Sequence, residues 1–120
     1  MNFNEYKEFF IENGYVHFKS AINDETLNKM NIQLLNWIDE SKNYKENYGS
    51  TIDGRPRFDL EIKTHSKQNS ALRRVSSPIE ISRTFLSFTR DNPALDLTSH
   101  IFSPNIKLLA TKINLKLPGS

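Results

Sequence analysis

The segment that most constrains this chain is its last, Ile106 to Ser120, which reads IKLLATKINLKLPGS. From Leu109 every second residue (Leu109, Thr111, Ile113, Leu115, Leu117) is apolar or β-branched, while Lys112, Asn114 and Lys116 fall between them. Side chains on a strand alternate between faces, so this pattern predicts a strand with one dry face and one polar, cationic face. Such a strand needs neighbours, and a free edge at its side is an aggregation hazard. The remainder of the chain reads as the scaffold that carries it.

A chain of 120 residues is one ordinary domain. Thirteen aromatics, eight of them Phe, are enough to form a core. No apolar run approaches the roughly 18 residues of a membrane helix, and MNFNEYKEFF lacks a basic-then-apolar leader. The absence of cysteine removes disulfides, thiolate metal sites and a Cys nucleophile, leaving a cytoplasmic protein as the default expectation. Charge is uneven. Residues 1–46 hold eight acids against five Lys, and residues 47–120 hold eleven Lys and Arg against six acids. A basic second half suits an anionic ligand or simply a solvated surface.

Along the chain, Asn4 is placed to cap a short helix with Tyr6, Phe9 and Phe10 on one side, and Gly14 to stop it in the left-handed conformation. Tyr15–Lys19 then predicts a short strand with Val16 and Phe18 inward. Asn23 caps a helix over Asp24–Ser41, with Leu27, Met30, Leu34 and Ile38 as its stripe and Leu35 and Trp37 beside it. Phe58, Leu60 and Ile62 alternate with polar residues and predict a second strand. Ser77-Pro78-Ile79-Glu80 is a capping-box pattern, from which a helix to Arg90 would bury Ile81, Phe85 and Phe88. Asn92-Pro93 opens another short helix carrying Leu97 and Ile101. Four helices and three scattered strands predict an α+β domain with too few strands to close a sheet.

Candidates for chemistry are few. His17, His65 and His100 share no metal-ligand spacing. There is no Gly-rich phosphate loop and no Gly-x-Ser-x-Gly. Asp59 and Glu61 resemble a carboxylate pair, or the wet side of a strand; Arg73-Arg74 is an anion clamp or a surface pair. Lys112, Asn114 and Lys116 either face the interior of a barrel, where a Lys requires an acid or an anionic ligand, or guard an exposed edge.

FFIENGYVHFKSAI, ALRRVSSPIEIS and IKLLATKINLKLPGS, in that order, resemble the N-terminal part of the phytanoyl-CoA dioxygenase family of iron(II)/2-oxoglutarate oxygenases. The matching pieces are Phe10 to Val16, Leu72-Arg73-Arg74-Val75, and Lys-x-Asn-x-Lys-x-Pro-Gly-Ser at 112–120. The resemblance implies a double-stranded β-helix (jelly roll) wrapped by N-terminal helices, of which residues 1–120 form an incomplete first portion. It implies that Lys116 and Arg74, with Asn114 on the same face, contact the 2-oxoglutarate carboxylates. It further implies that the His-x-Asp iron ligands follow the Lys-x-Pro-Gly segment, so that iron(II) belongs to the complete protein and this chain alone is inactive toward its small-molecule substrate. The alternative is a non-catalytic α+β module whose basic face meets an acidic partner or nucleic acid. Aromatics are not interleaved with the basic residues as nucleic-acid platforms require, so no nucleic acid and no membrane is expected.

Overall fold

The structure, a computed structural model, describes residues 1–118, so Gly119 and Ser120 of the terminal motif lie outside it. Two helices, α1 (Phe3–Asn13) and α2 (Asp24–Ser41), precede three strands, β1 (Tyr48–Ser50), β2 (Pro56–Leu60) and β3 (Leu72–Ser76). Helices α3 (Arg83–Arg90) and α4 (Pro93–Ile101) follow, and β4 (Lys112–Asn114) ends the described chain. The strands form an open antiparallel sheet in the order β1-β2-β3-β4. The class is α+β, as expected; the number and place of the strands are not.

Helix α2 begins where its cap dictates, with the Asn23 side chain accepting from the Thr26 N–H at 2.8 Å. Its inner stripe lies on the sheet. Trp37 is buried edge-on against Phe58 and stacked on Phe85, so that α2, β2 and α3 meet at one indole. Phe58, Leu60, Leu72 and Val75 complete the core, with Leu34, Ile38, Ile113 and Leu115 packed at its margin. Leu27 and Leu35 are exposed instead: Leu27 lies on the N-terminal half of the stripe, beyond the residues that reach the sheet, and Leu35 is off the face that carries Leu34, Trp37 and Ile38. Helix α1 makes a second, aromatic cluster, with Phe3 and Tyr6 on Phe18 of the 15–19 segment, Phe3 on His100 of α4, and Phe10 on Phe102 at the end of α4.

Several expectations are corrected. Helix α1 is capped by Asn2, not Asn4, whose side chain instead accepts from His100 at 2.8 Å. Gly14 does stop it, at φ 79°. Residues 15–19 keep the alternation, with Val16 and Phe18 half-buried, but no strand pairs with them. Ile62 lies beyond β2 and is exposed. The capping box fails for a definite reason. Ser77 adopts the left-handed conformation (φ 49°) and gives its N–H to the Thr111 carbonyl, so Glu80 has no cap to close. Only a 3₁₀ turn (Pro78–Glu80) forms; α3 starts afresh at Ser82, and Ile81 is left exposed.

Strands β1 and β3 were not anticipated. In β1, Gly49 sits at φ 70°, and a side chain there would come within 2.9 Å of the Arg57 Cβ, so glycine is required for the close approach to β2. In β3, Asp59 pairs with Arg74 but Leu60 pairs with Leu72, leaving Arg73 as an extra residue. This bulge explains how Leu72 and Val75, three apart, are both buried.

Candidate functional site

Helices α2 and α3 pack on one side of the sheet, and strand alternation sets the residues of the other. Phe58, Val75 and Ile113 face the core, so their neighbours Asp59, Arg74 and Asn114 face away from it. Register places these three in one row across β2, β3 and β4, Asp59 opposite Arg74 and Arg74 opposite Asn114. The Arg74 Nη1 is 3.5 Å from the Asp59 carboxylate, and its Nε donates to Asn114 Oδ1 at 3.3 Å. The Arg74 side chain stays 42% exposed between them, whereas Asp59 is 13% exposed. The result is a guanidinium oriented from both sides and open to solvent.

Lys112 and Lys116 flank Asn114 at period-2 spacing, each about 7 Å along the strand, and all three are exposed. The alternation continues past β4, because the Leu115 N–H still donates to the Arg73 carbonyl at 2.9 Å. Three cations against the single carboxylate of Asp59 make this row a surface suited to an anion. The structure therefore joins two residues singled out in the sequence, Arg74 and Asn114, and sets the third, Lys116, on the same stripe. Asp59, which orients Arg74, was legible only as a possible partner of Glu61. That pairing does not form: Asp59 engages Arg74, while the Glu61 carboxylate accepts from the Lys63 N–H.

At the end of the same sheet Arg57 is buried, its side chain 7% exposed. It donates to the carbonyls of Ser50, Ser76 and Ser77 and, at 2.7 Å, to Glu80. Glu80 also accepts from the Ile52 N–H at 2.9 Å. That backbone bond first, and Arg57 second, hold the Glu80 carboxyl below its usual 4.5. Bonds from Thr51 and then Arg55 lower Asp53 in the adjoining turn. With both Arg57 Nη groups and the Glu80 carboxylate bonded, this cluster reads as a strut rather than a reactive centre. Because Glu80 is held in its charged form, its contribution to stability is present above pH 4.5 and is lost as pH falls through the lowered folded value. Glu80→Gln should therefore melt below the wild type near neutral pH, with the gap closing below pH 4.5. Thermal melts of both proteins across that range check this, and a gap independent of pH would remove Glu80 from the account.

The histidines are dispersed. His65 Nδ1 accepts from the Ala71 N–H, so its Nε2 carries the proton and donates to the Ser41 and Tyr44 carbonyls. His100 packs on Phe3 and binds Asn4, and His17 is exposed on the unpaired 15–19 segment. Among the described residues no three His, Asp or Glu side chains converge as metal ligands. No helix among them is long and apolar enough to cross a membrane. Compared with protein families, with characterised proteins and with solved structures, the chain matches none.

Proposed function

We propose that the polar side of the sheet binds the dicarboxylate 2-oxoglutarate, and that this chain supplies the helices and first strands of a jelly-roll iron(II)/2-oxoglutarate oxygenase of the phytanoyl-CoA dioxygenase type. The observation that carries the reading is the Asp59–Arg74–Asn114 row with Lys116 on the same stripe. A guanidinium already aligned by a carboxylate and an amide loses little freedom on taking up a second carboxylate. Lys116 adds a mobile point charge on the same side, and Asn114 a neutral donor.

The open shape agrees with this. The radius of gyration is 17.1 Å, against about 14 Å for a compact domain of this length, and none of the helices among the described residues packs on the polar side of the sheet. In a complete oxygenase 2-oxoglutarate is the co-substrate whose oxidative decarboxylation supplies electrons for oxygen activation at iron and hydroxylation of a small organic substrate. The residues present fit the dicarboxylate. They do not fit iron, for which ligands would come from outside residues 1–118. The part assigned to this chain is to bind and orient a carboxylate.

Titration with 2-oxoglutarate, followed by amide and guanidinium NMR shifts, tests the assignment. Shifts should centre on Arg74, Asn114 and Lys116, with succinate a weaker competitor. Arg74→Ala should weaken binding about tenfold or more, the loss of a hydrogen bond to a charged group, and Lys116→Ala somewhat less. Shifts that leave Arg74, Asn114 and Lys116 unmoved, or none at all, would sink the proposal.

A further inference from the structure

Where α2 ends, residues 42–45 and 65–67 line a cavity of about 440 Å³, a volume that takes a small ligand. Arg74, Asn114 and Lys116 take no part in it. His65 pins its walls together. The Ala71 N–H occupies its Nδ1, and its Nε2 donates to the carbonyls of Ser41 and Tyr44. A bond between the Ser41 and Ser70 hydroxyls ties α2 to the second loop again. The residues of the lining and the bonds that hold them all fall between 41 and 71, so the site is set by this stretch and not by what later strands add to the sheet.

The lining is cationic without a counter-charge. Lys42, Lys45 and Lys67 come to it from two segments, and no Asp or Glu lines it. Lys42 has an ion pair outside the lining, at 3.6 Å to an Asp39 side chain that is 83% exposed, a contact worth little in water. Lys45 and Lys67 form no ion pair among the described residues. Lysines after a helix often complement its last carbonyls, but here those are taken. The Ser41 hydroxyl donates to Ile38, the Lys42 and Asn43 N–H groups to Asp39 and Glu40, and His65 with the Tyr44 N–H to Ser41. Gathering three ammoniums costs free energy through mutual repulsion, which an anion of more than one charge relieves. Beside them, Tyr44 stacks one ring face on Tyr48 at 3.6 Å yet stays 40% exposed, so its other face is open to the cavity. Ser66 accepts from the Asn69 N–H, which leaves its hydroxyl hydrogen to donate.

We infer that this cavity binds a nucleoside diphosphate, its base stacked on Tyr44 and its phosphoryl oxygens among Lys42, Lys45 and Lys67, with Ser66 as a neutral donor. An aromatic face takes up any base by stacking, and three mobile point charges suit a group with several anionic oxygens better than a single carboxylate. His65 holds the two loops in place and, with both ring nitrogens engaged, gives neither to the ligand. The inference goes beyond the dicarboxylate reading and does not depend on it.

The test titrates the full chain with adenosine diphosphate and with inorganic pyrophosphate, in the absence of divalent cations, read by calorimetry and by the NMR signals of the Tyr44 ring. The nucleotide should bind and move the Tyr44 ring protons upfield through the ring current of the base. Pyrophosphate should bind about tenfold more weakly, the loss of one stacking contact, and added salt should weaken both. The double variant Lys45→Glu, Lys67→Glu should lose the nucleotide and melt near the wild type, since both side chains are exposed and outside any ion pair among the described residues. It should keep 2-oxoglutarate, whereas Arg74→Ala should lose 2-oxoglutarate and keep the nucleotide, so that either proposal can fail alone. Pyrophosphate bound as tightly as the nucleotide with Tyr44 unmoved, nucleotide binding undiminished in the double variant, or none up to about 1 mM would each overturn the inference.

Discussion

Trp37→Ala is expected to destabilise the protein by about 4 kcal/mol, the usual range for removing a buried tryptophan. The indole is 6% exposed and touches Phe58 of β2 and Phe85 of α3 at ring-centroid distances of 6.0 and 5.8 Å. No other buried side chain in the core cluster comes from a helix; the rest belong to β2 and β3. Truncation would leave a hole that the sheet cannot collapse to fill, because Phe58 is fixed on its other side by stacking on Tyr48 at 4.7 Å. A small domain has a total stability of about 5–15 kcal/mol, so the loss removes a large share of it. With a urea slope near 2 kcal/mol/M, the midpoint should fall by about 2 M, read by far-UV circular dichroism because the only tryptophan is gone. Trp37→Phe, which keeps a ring against Phe58, should cost clearly less. A shift under about 1 kcal/mol for the alanine variant would mean that α2 is not held to the sheet through this residue.

What could be read from the sequence follows the range of the interaction behind each feature. The start of α2 at Asn23 and the start of α4 at Asn92-Pro93 were legible because a cap is made within three residues. The left-handed stop at Gly14 is equally local. Strand β3 was not legible, since its bulge at Arg73 breaks the alternation that identifies a strand. The capping box at Ser77 misled because its two groups are taken by distant partners, the Ser77 N–H by Thr111 and the Glu80 carboxylate by Arg57 and Ile52. The polar stripe of Lys112, Asn114 and Lys116 was visible as a period of two. That Asn114 faces Arg74, 40 residues earlier, depends on strand register and could not be read from either segment alone.

The other large effect expected is at Arg57, whose guanidinium ties the ends of β1 and β3 to the turn at Glu80. Arg57→Ala would take this donor from the carbonyls of Ser50 and Ser76, leave Ser77 only its bond from the Glu80 N–H, and remove the charged partner of the Glu80 carboxylate, and should destabilise the protein by about 3 kcal/mol through lost bonds to buried acceptors. Replacing a buried ion pair with a hydrophobic residue is often neutral. Here it should not be, because three of the four acceptors are backbone groups that a methionine cannot remove. Arg57→Met is thus expected to fall close to Arg57→Ala, and Arg57→Lys to recover only part of the loss, since one ammonium cannot span both sides of the fork. Urea denaturation ranks the three variants, and a methionine variant as stable as the wild type would show the strut to be dispensable. The consequence reaches the candidate site by a short path. Arg57 fixes Ser76 and Ser77, Ser77 bonds Thr111, and Thr111 precedes the strand that puts Asn114 opposite Arg74. Amide exchange at Ser77 and Ile113 should therefore quicken in Arg57→Ala before the helical layer of α1 and α4 is affected, because loosening begins where the bond network is cut.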